Sequence, residues 1–203
     1  RGLRTLGHAL RAGRPLLLLA ALAVLVVYLC RLNSVAGLYV DDGWYVLLGE
    51  AIASGRGYHL ISAPTVEMAA ALPASPPGFP LALAAVQAVT ATFPGNVLWL
   101  KAVSIAAMFA LGALAFLYFR DRLNSGGLAA ALAAAVMLTP AFVWLATSTV
   151  MSEPLFAALQ IGAVILIGRH KPAAAGVAAG AAALVRAAGL SIVAAAVLWY
   201  MAR

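Results

Sequence analysis

The chain of 203 residues holds only six acids, and two of them, Asp41 and Asp42, stand side by side in YVDDGWYVLLGE. A carboxylate held beside a hydroxyl acts as a general base, and one held beside a hard cation acts as an oxygen ligand for Mg²⁺ or Mn²⁺. The plain alternative is capping, because Asp at a helix start accepts from free backbone N–H groups and meets the positive end of the helix dipole. Capping needs one Asp and leaves its neighbour over. Glu153, in TSTVMSEPLF, poses the same choice. Ser152 or Glu153 can cap a helix with Pro154 in its first turn, or Glu153 can join Asp41 as a second acid or metal ligand. Arg186 interrupts an apolar run, where a charge costs several kcal/mol unless paired and is by default functional. It pairs with Glu153 or grips a phosphate through its planar fork. Lys101 offers a second phosphate contact, or extends its ammonium to an interface with no other role.

Other chemistries lack their residues. His8, His59 and His170 are dispersed without metal-ligand spacing. No glycine-rich phosphate loop occurs and no Ser-His-Asp order stands out, which argues against a nucleotide-driven pump. Cys30 is the single cysteine, so no internal disulfide exists, and it reads as a buried small side chain.

The elements that must position these groups are apolar. The chain is 65% hydrophobic and 9% charged, with mean hydropathy +1.03. Soluble domains average about 45–50% apolar and about 25% charged. Lipid is therefore the expected solvent, and runs of Ala, Leu and Val without period-2 alternation predict helices rather than a barrel. The net charge of +7 does not signal nucleic acid, because the basic residues lie in short clusters between apolar runs. Arg1, Arg4, His8 and Arg11 form one stripe of a helix suited to an anionic membrane surface.

Apolar stretches cover Leu16 to Cys30, 79–93, 97–119, 127–146, 153–168 and 173–202. The last is expected to divide into two short spans near Arg186 and Gly189, which spares the bilayer a mid-plane charge. The stretch 79–93 is short and follows Pro-Pro-Gly, and it decides the topology. If it lies in the interface, nine of the thirteen Lys and Arg residues fall inside, and only Arg31, Arg56, Lys101 and Arg186 fall outside. If it spans, six fall inside and seven outside, which is no bias, so the positive-inside rule prefers the interfacial placement. All acids but Asp121 then share the extracytoplasmic side with Lys101 and Arg186. The expected architecture is an all-α polytopic protein of about six transmembrane helices. A basic interfacial segment, 1–15, and a first span, 16–31, precede a long extracytoplasmic loop, 32–96. That loop carries two interfacial helices, near 41–54 and 79–93, and the remaining spans occupy 97–203. Trp44, Leu47, Leu48, Ala51 and Ile52 give the first of them an amphipathic face. Loops of this length are functional or disordered, and this one is patterned.

Four features occur in order: the acidic pair with Tyr45 followed by GRGY, then PPGFP, then SEPLF, then AAGAAALVRAAGL. In that order the chain resembles the N-terminal half of a GT-C membrane glycosyltransferase of the protein O-mannosyltransferase and aminoarabinose-transferase kind. The resemblance implies a single GT-C-like module over 1–203 in the plasma (inner) membrane, with a cytoplasmic N-terminus. It implies transfer of a sugar from a polyprenyl-phosphate carrier to a glycan, lipid or protein acceptor on the extracytoplasmic face. Asp41 maps onto the catalytic base, with Asp42 beside it. Glu153 maps onto the second acidic motif, sometimes a metal ligand. Arg186 and Lys101 fall to the lipid phosphate, and Tyr45, Arg56, Tyr58 and Glu67 to the acceptor or donor loop. Ser75 stands where the family often has Lys, His or Tyr. Family members are several hundred residues long, so a C-terminal half or a second subunit is an expected partner. The competing readings are a non-catalytic membrane scaffold and a lipid-translocating half-protein, in which Arg186 and Glu153 form an intramembrane pair.

Overall fold

The computed structural model describes residues 2–61, 65, 67, 75–90, 92–123 and 125–202, with side chains from Pro15 onward. Among these residues every regular element is a helix. Helix α1 is Gly2–Arg31, α2 is Val40–Ala53, α3 is Gly78–Gln87, α4 is Val97–Leu123, α5 is Gly126–Met137, α6 is Pro140–Thr147, α7 is Glu153–Gly168 and α8 is Pro172–Val185. A 3₁₀ turn, Ala187–Gly189, leads into α9, Leu190–Met201.

One helix, α4, is long and apolar enough to cross a membrane by itself. Its 27 residues extend about 40 Å at about 1.5 Å per residue. Helices α5 and α6 meet at a 58° bend where Pro140 denies the ladder an N–H. The carbonyl of Met137, freed by that break, accepts from the Tyr28 hydroxyl at 2.7 Å. The other apolar helices are shorter than 18 residues over their described side chains. Among the described residues α4 alone has that length, and Pro140 and Arg186 divide two of the other apolar runs. The division at Arg186 falls where the buried-charge argument puts it.

Three boundaries differ from expectation. The basic segment and the first apolar run form one continuous helix through Pro15, and the Arg1–Arg14 side chains lie outside the described residues. The second loop helix stops at Gln87 rather than continuing to 93. Thr90 there turns its hydroxyl back onto the Val86 carbonyl at 2.8 Å, a local bond that competes with helix. The first loop helix starts one residue early, at Val40.

Helices α4 and α7 run side by side in the same direction. Ser104 on α4 donates to the Met151 carbonyl just before α7 at 3.0 Å, and Arg169 after α7 reaches Asp121 on α4 at 2.9 Å. These contacts define a loop end, where α2 and α3 lie, and a far end. Four apolar clusters fill the bundle among the described residues, and two of them carry most of its large buried side chains. One, at the loop end, gathers Tyr45, Phe79, Leu83, Leu100, Val150 and Val185. The other joins Val24 and Tyr28 of α1 to Met108, Leu111, Met137 and Ala158. Large apolar side chains also cover the outside, including Leu18, Leu22, Trp99, Val177, Leu198 and Met201, and Cys30, expected to be buried, is exposed on the same outer surface.

Candidate functional site

The four sequence features meet at the loop end. Tyr45 on α2 packs edge-on against Phe79 of PPGFP, with ring centroids 5.1 Å apart. Ser152, the residue before α7, donates to the Tyr45 hydroxyl at 3.2 Å. Arg186, at the end of α8, donates through Nη1 to Ser152 Oγ at 3.2 Å and to Glu153 Oε1 at 2.6 Å. Gly78 closes the ring of contacts, since a Cβ there would lie 2.7 Å from the Leu184 carbonyl oxygen. Only glycine lets α3 approach the end of α8 so closely. Gly189 does the same one turn later, where a Cβ would lie 2.4 Å from the Ala182 carbonyl carbon, so the chain can fold back immediately after Arg186.

The cluster is half-buried and incompletely satisfied. Tyr45 and Ser152 are buried, while the Arg186 and Glu153 side chains are about one-third exposed. Glu153 Oε2 is buried and has no hydrogen-bond partner among the described residues. Arg186 Nε and Nη2 carry no bond to any described residue. A carboxylate oxygen that seeks a donor thus lies beside a guanidinium edge that seeks an acceptor.

The acidic pair divides its work. Asp42 is fully buried, and its carboxylate accepts from the Gly37 N–H at 2.9 Å, the Leu38 N–H at 3.3 Å and the Tyr39 N–H at 2.9 Å. It therefore anchors the loop to the first turn of α2, and this is the capping role. Asp41 is exposed and has no hydrogen bond or ion pair to a described residue. It lies one helical turn before Tyr45, and residues four apart share a helix face about 6 Å apart at Cβ. Of the acidic pair, Asp41 alone keeps its carboxylate uncommitted among the described residues.

Lys101 is neither at a rim nor free for a phosphate. It is fully buried, and its three donors go to Asn33 O at 2.7 Å, Asn33 Oδ1 at 2.8 Å and Thr147 O at 3.1 Å. The ammonium ties the start of the long loop to the C-terminus of α6, where a cation complements the free carbonyls. Asp42 interacts with it electrostatically. Asn33 was not singled out by the sequence, since nothing local marks it.

Tyr58 joins the cluster from the loop. Its hydroxyl donates to the Ser75 carbonyl, immediately before Pro-Pro. Burial, and then the nearby Tyr45, push its hydroxyl up to about 12, so it stays a donor across the physiological range. Arg56 does not join. It caps the end of α2 through Ser54 Oγ at 2.9 Å and lies 3.7 Å from Glu50. Glu67 is exposed, and hydrogen bonds from its own backbone and Thr65 hold its carboxyl below the usual range. Among the described residues no three His, Cys, Asp or Glu side chains come together. Of the expected oxygen ligands, Asp42 accepts from backbone N–H groups, Glu153 Oε1 accepts from Arg186, and Asp41 is exposed.

The arrangement can bind an anion at Arg186, orient a neighbouring hydroxyl through Tyr45 and Ser152, and offer one free carboxylate at Asp41. Comparison with protein-family models, with curated proteins and with solved structures found no match.

Proposed function

We propose that the protein is a polytopic membrane glycosyltransferase of the GT-C kind, acting on the extracytoplasmic face. The observation that carries the reading is the meeting of Tyr45, Phe79, Ser152, Glu153 and Arg186, drawn from four separated stretches, in one half-buried cluster. Bundles of this composition carry their apolar exterior in lipid. With α2 and α3 in the interface, α1, α4, the bent α5–α6 pair, α7, α8 and α9 make six crossings. The short members cover the bilayer by pairing with their neighbours and by the interfacial helices above them. The charge count supports a loop end on the outer side.

The carrier phosphate lies against the open edge of Arg186, and its isoprenoid tail leaves into lipid. Glu153 and Ser152 hold the guanidinium in place. Asp41 takes the proton from the acceptor hydroxyl as that oxygen attacks the sugar's anomeric carbon. The phosphate leaves as an anion, so a single base suffices. The direct Arg186–Glu153 contact also favours a second reading, a scaffold or lipid-translocating half-protein in which that pair is structural.

An undecaprenyl phosphate carrying a photoreactive diazirine in its first isoprene unit tests the reading. It is expected to mark the loop ends of α2, α7 and α8, and Arg186→Gln is expected to erase those adducts. Adducts at the loop end that survive Arg186→Gln would assign the phosphate elsewhere.

A further inference from the structure

At the far end, α4 and α7 finish side by side and leave a cavity of about 140 Å³ between them. Its wall is apolar along Val164 and Ile165 and polar at Tyr118, Asp121, Arg122 and Arg169. Asp121 accepts from Arg120 at 2.7 Å and from Arg169 at 2.9 Å. Arg122 lies over the Tyr118 ring, 5.3 Å from its centroid, and no carboxylate among the described residues pairs with it. Arg122, Arg169 and Asp121 line the opening, and Arg120, bonded to Asp121 from outside that lining, brings the local formal charge to +2, before the exposed Lys171 is counted. Each of the two helices ending here contributes roughly −0.5 of a charge, so the mouth stays positive.

We propose that this cavity binds the phosphate of an anionic phospholipid, with Arg122 and Arg169 on the phosphate oxygens and an acyl chain along Val164 and Ile165. The Tyr118 ring and Asp121 hold the two guanidinium forks ready, which limits the ordering cost, and guanidinium matches phosphate oxygens two at a time. A zwitterionic headgroup brings its own cation into a positive mouth and is disfavoured. A free phosphate ester shares the headgroup chemistry but leaves the apolar wall uncovered. Basic pockets between helices at a membrane face commonly take such headgroups. The proposal rests on the bilayer reading above and uses no residue of the loop-end cluster.

Native mass spectrometry of the full chain, released from neutral detergent, tests it with phosphatidylglycerol, phosphatidylcholine and glycerol 3-phosphate as probes. Phosphatidylglycerol is expected to bind at least about tenfold more tightly than phosphatidylcholine, a difference of about 1.4 kcal/mol, and glycerol 3-phosphate far more weakly than either. Arg122→Gln, at an exposed position, is expected to cut the headgroup preference several-fold, and R122Q with R169Q to abolish it. Arg122→Lys keeps the charge without the fork and is expected to fall between. Equal binding of the two lipids, or glycerol 3-phosphate binding as tightly as phosphatidylglycerol, would overturn the proposal. Carbonate extraction of membranes separates the two readings. A chain retained by membranes yet indifferent to headgroup overturns this proposal alone. A chain extracted by carbonate overturns the bilayer reading and this one together.

Discussion

Both ends of the bundle join an arginine to a carboxylate, and they are built for different purposes. At the loop end, Glu153 and Arg186 are 28% and 33% exposed, and a single 2.6 Å contact leaves one carboxylate oxygen buried without a donor. At the far end Asp121 is 45% exposed and shared between two arginines, with both oxygens satisfied. Desolvation makes the first pair costly to hold and sensitive to loss of either partner. Solvent screens the second, so it adds little to stability. A pair kept partly unsatisfied, where apolar packing is available, marks a place where a ligand completes the bonding. At the far end the carboxylate is saturated, and only guanidinium donors are left open.

The largest difference is expected in turnover. Asp41→Asn should lower sugar transfer by about 10²–10⁴-fold, the usual contribution of a positioned base, with a melting point within error of the native protein. Asp42→Ala should do the opposite. It removes the acceptor for three N–H groups and should cost about 1–2 kcal/mol of stability, read as a shift of the thermal transition in detergent. Next comes Lys101→Met, which strips three carbonyl or amide oxygens of their donor and should cost about 2–4 kcal/mol. Arg186→Gln should cost about 1–3 kcal/mol through the uncompensated Glu153, whereas Arg169→Gln should stay within about 0.5 kcal/mol. Equal losses for those two variants would erase the contrast between the ends. The smallest effect belongs to Tyr58. Its hydroxyl ionises near 12 when folded and near 10 when unfolded. The unfolded chain therefore holds fewer protons between those values, and the loop loses stability as pH rises from about 10 to about 12. The ultraviolet phenolate titration of wild type minus Tyr58→Phe measures this.

How much of this was legible in the sequence depended on how local each cause was. The break at Arg186 follows from a charge in an apolar run, and the start of α2 follows from its acids. Which Asp caps was not legible, because the choice depends on Gly37, Leu38 and Tyr39 folding back over Asp42, and adjacent acids present identical signals. Lys101 was misjudged for a stronger reason. Its partners Asn33 and Thr147 lie 68 and 46 residues away, and no periodicity links them. Ser152 looked like a cap and is instead the hinge of the Tyr45–Arg186 contact, a role that exists only once α2, α7 and α8 are packed. Gly78, inside PPGFP, was visible as a motif, but its reason is the backbone of another helix.

Transfer from undecaprenyl-phosphate sugars to acceptors in membranes carrying the full chain tests the central claim most directly. A panel of hexoses, pentoses and aminopentoses would be compared across wild type, Asp41→Asn and Asp42→Asn. The account expects wild-type transfer from at least one donor, its loss by 10²-fold or more in D41N, about the lower limit for a positioned base, and its retention in D42N at permissive temperature. Equal incorporation by wild type, D41N and membranes lacking the chain would contradict it, and the Glu153–Arg186 pair would then be structural.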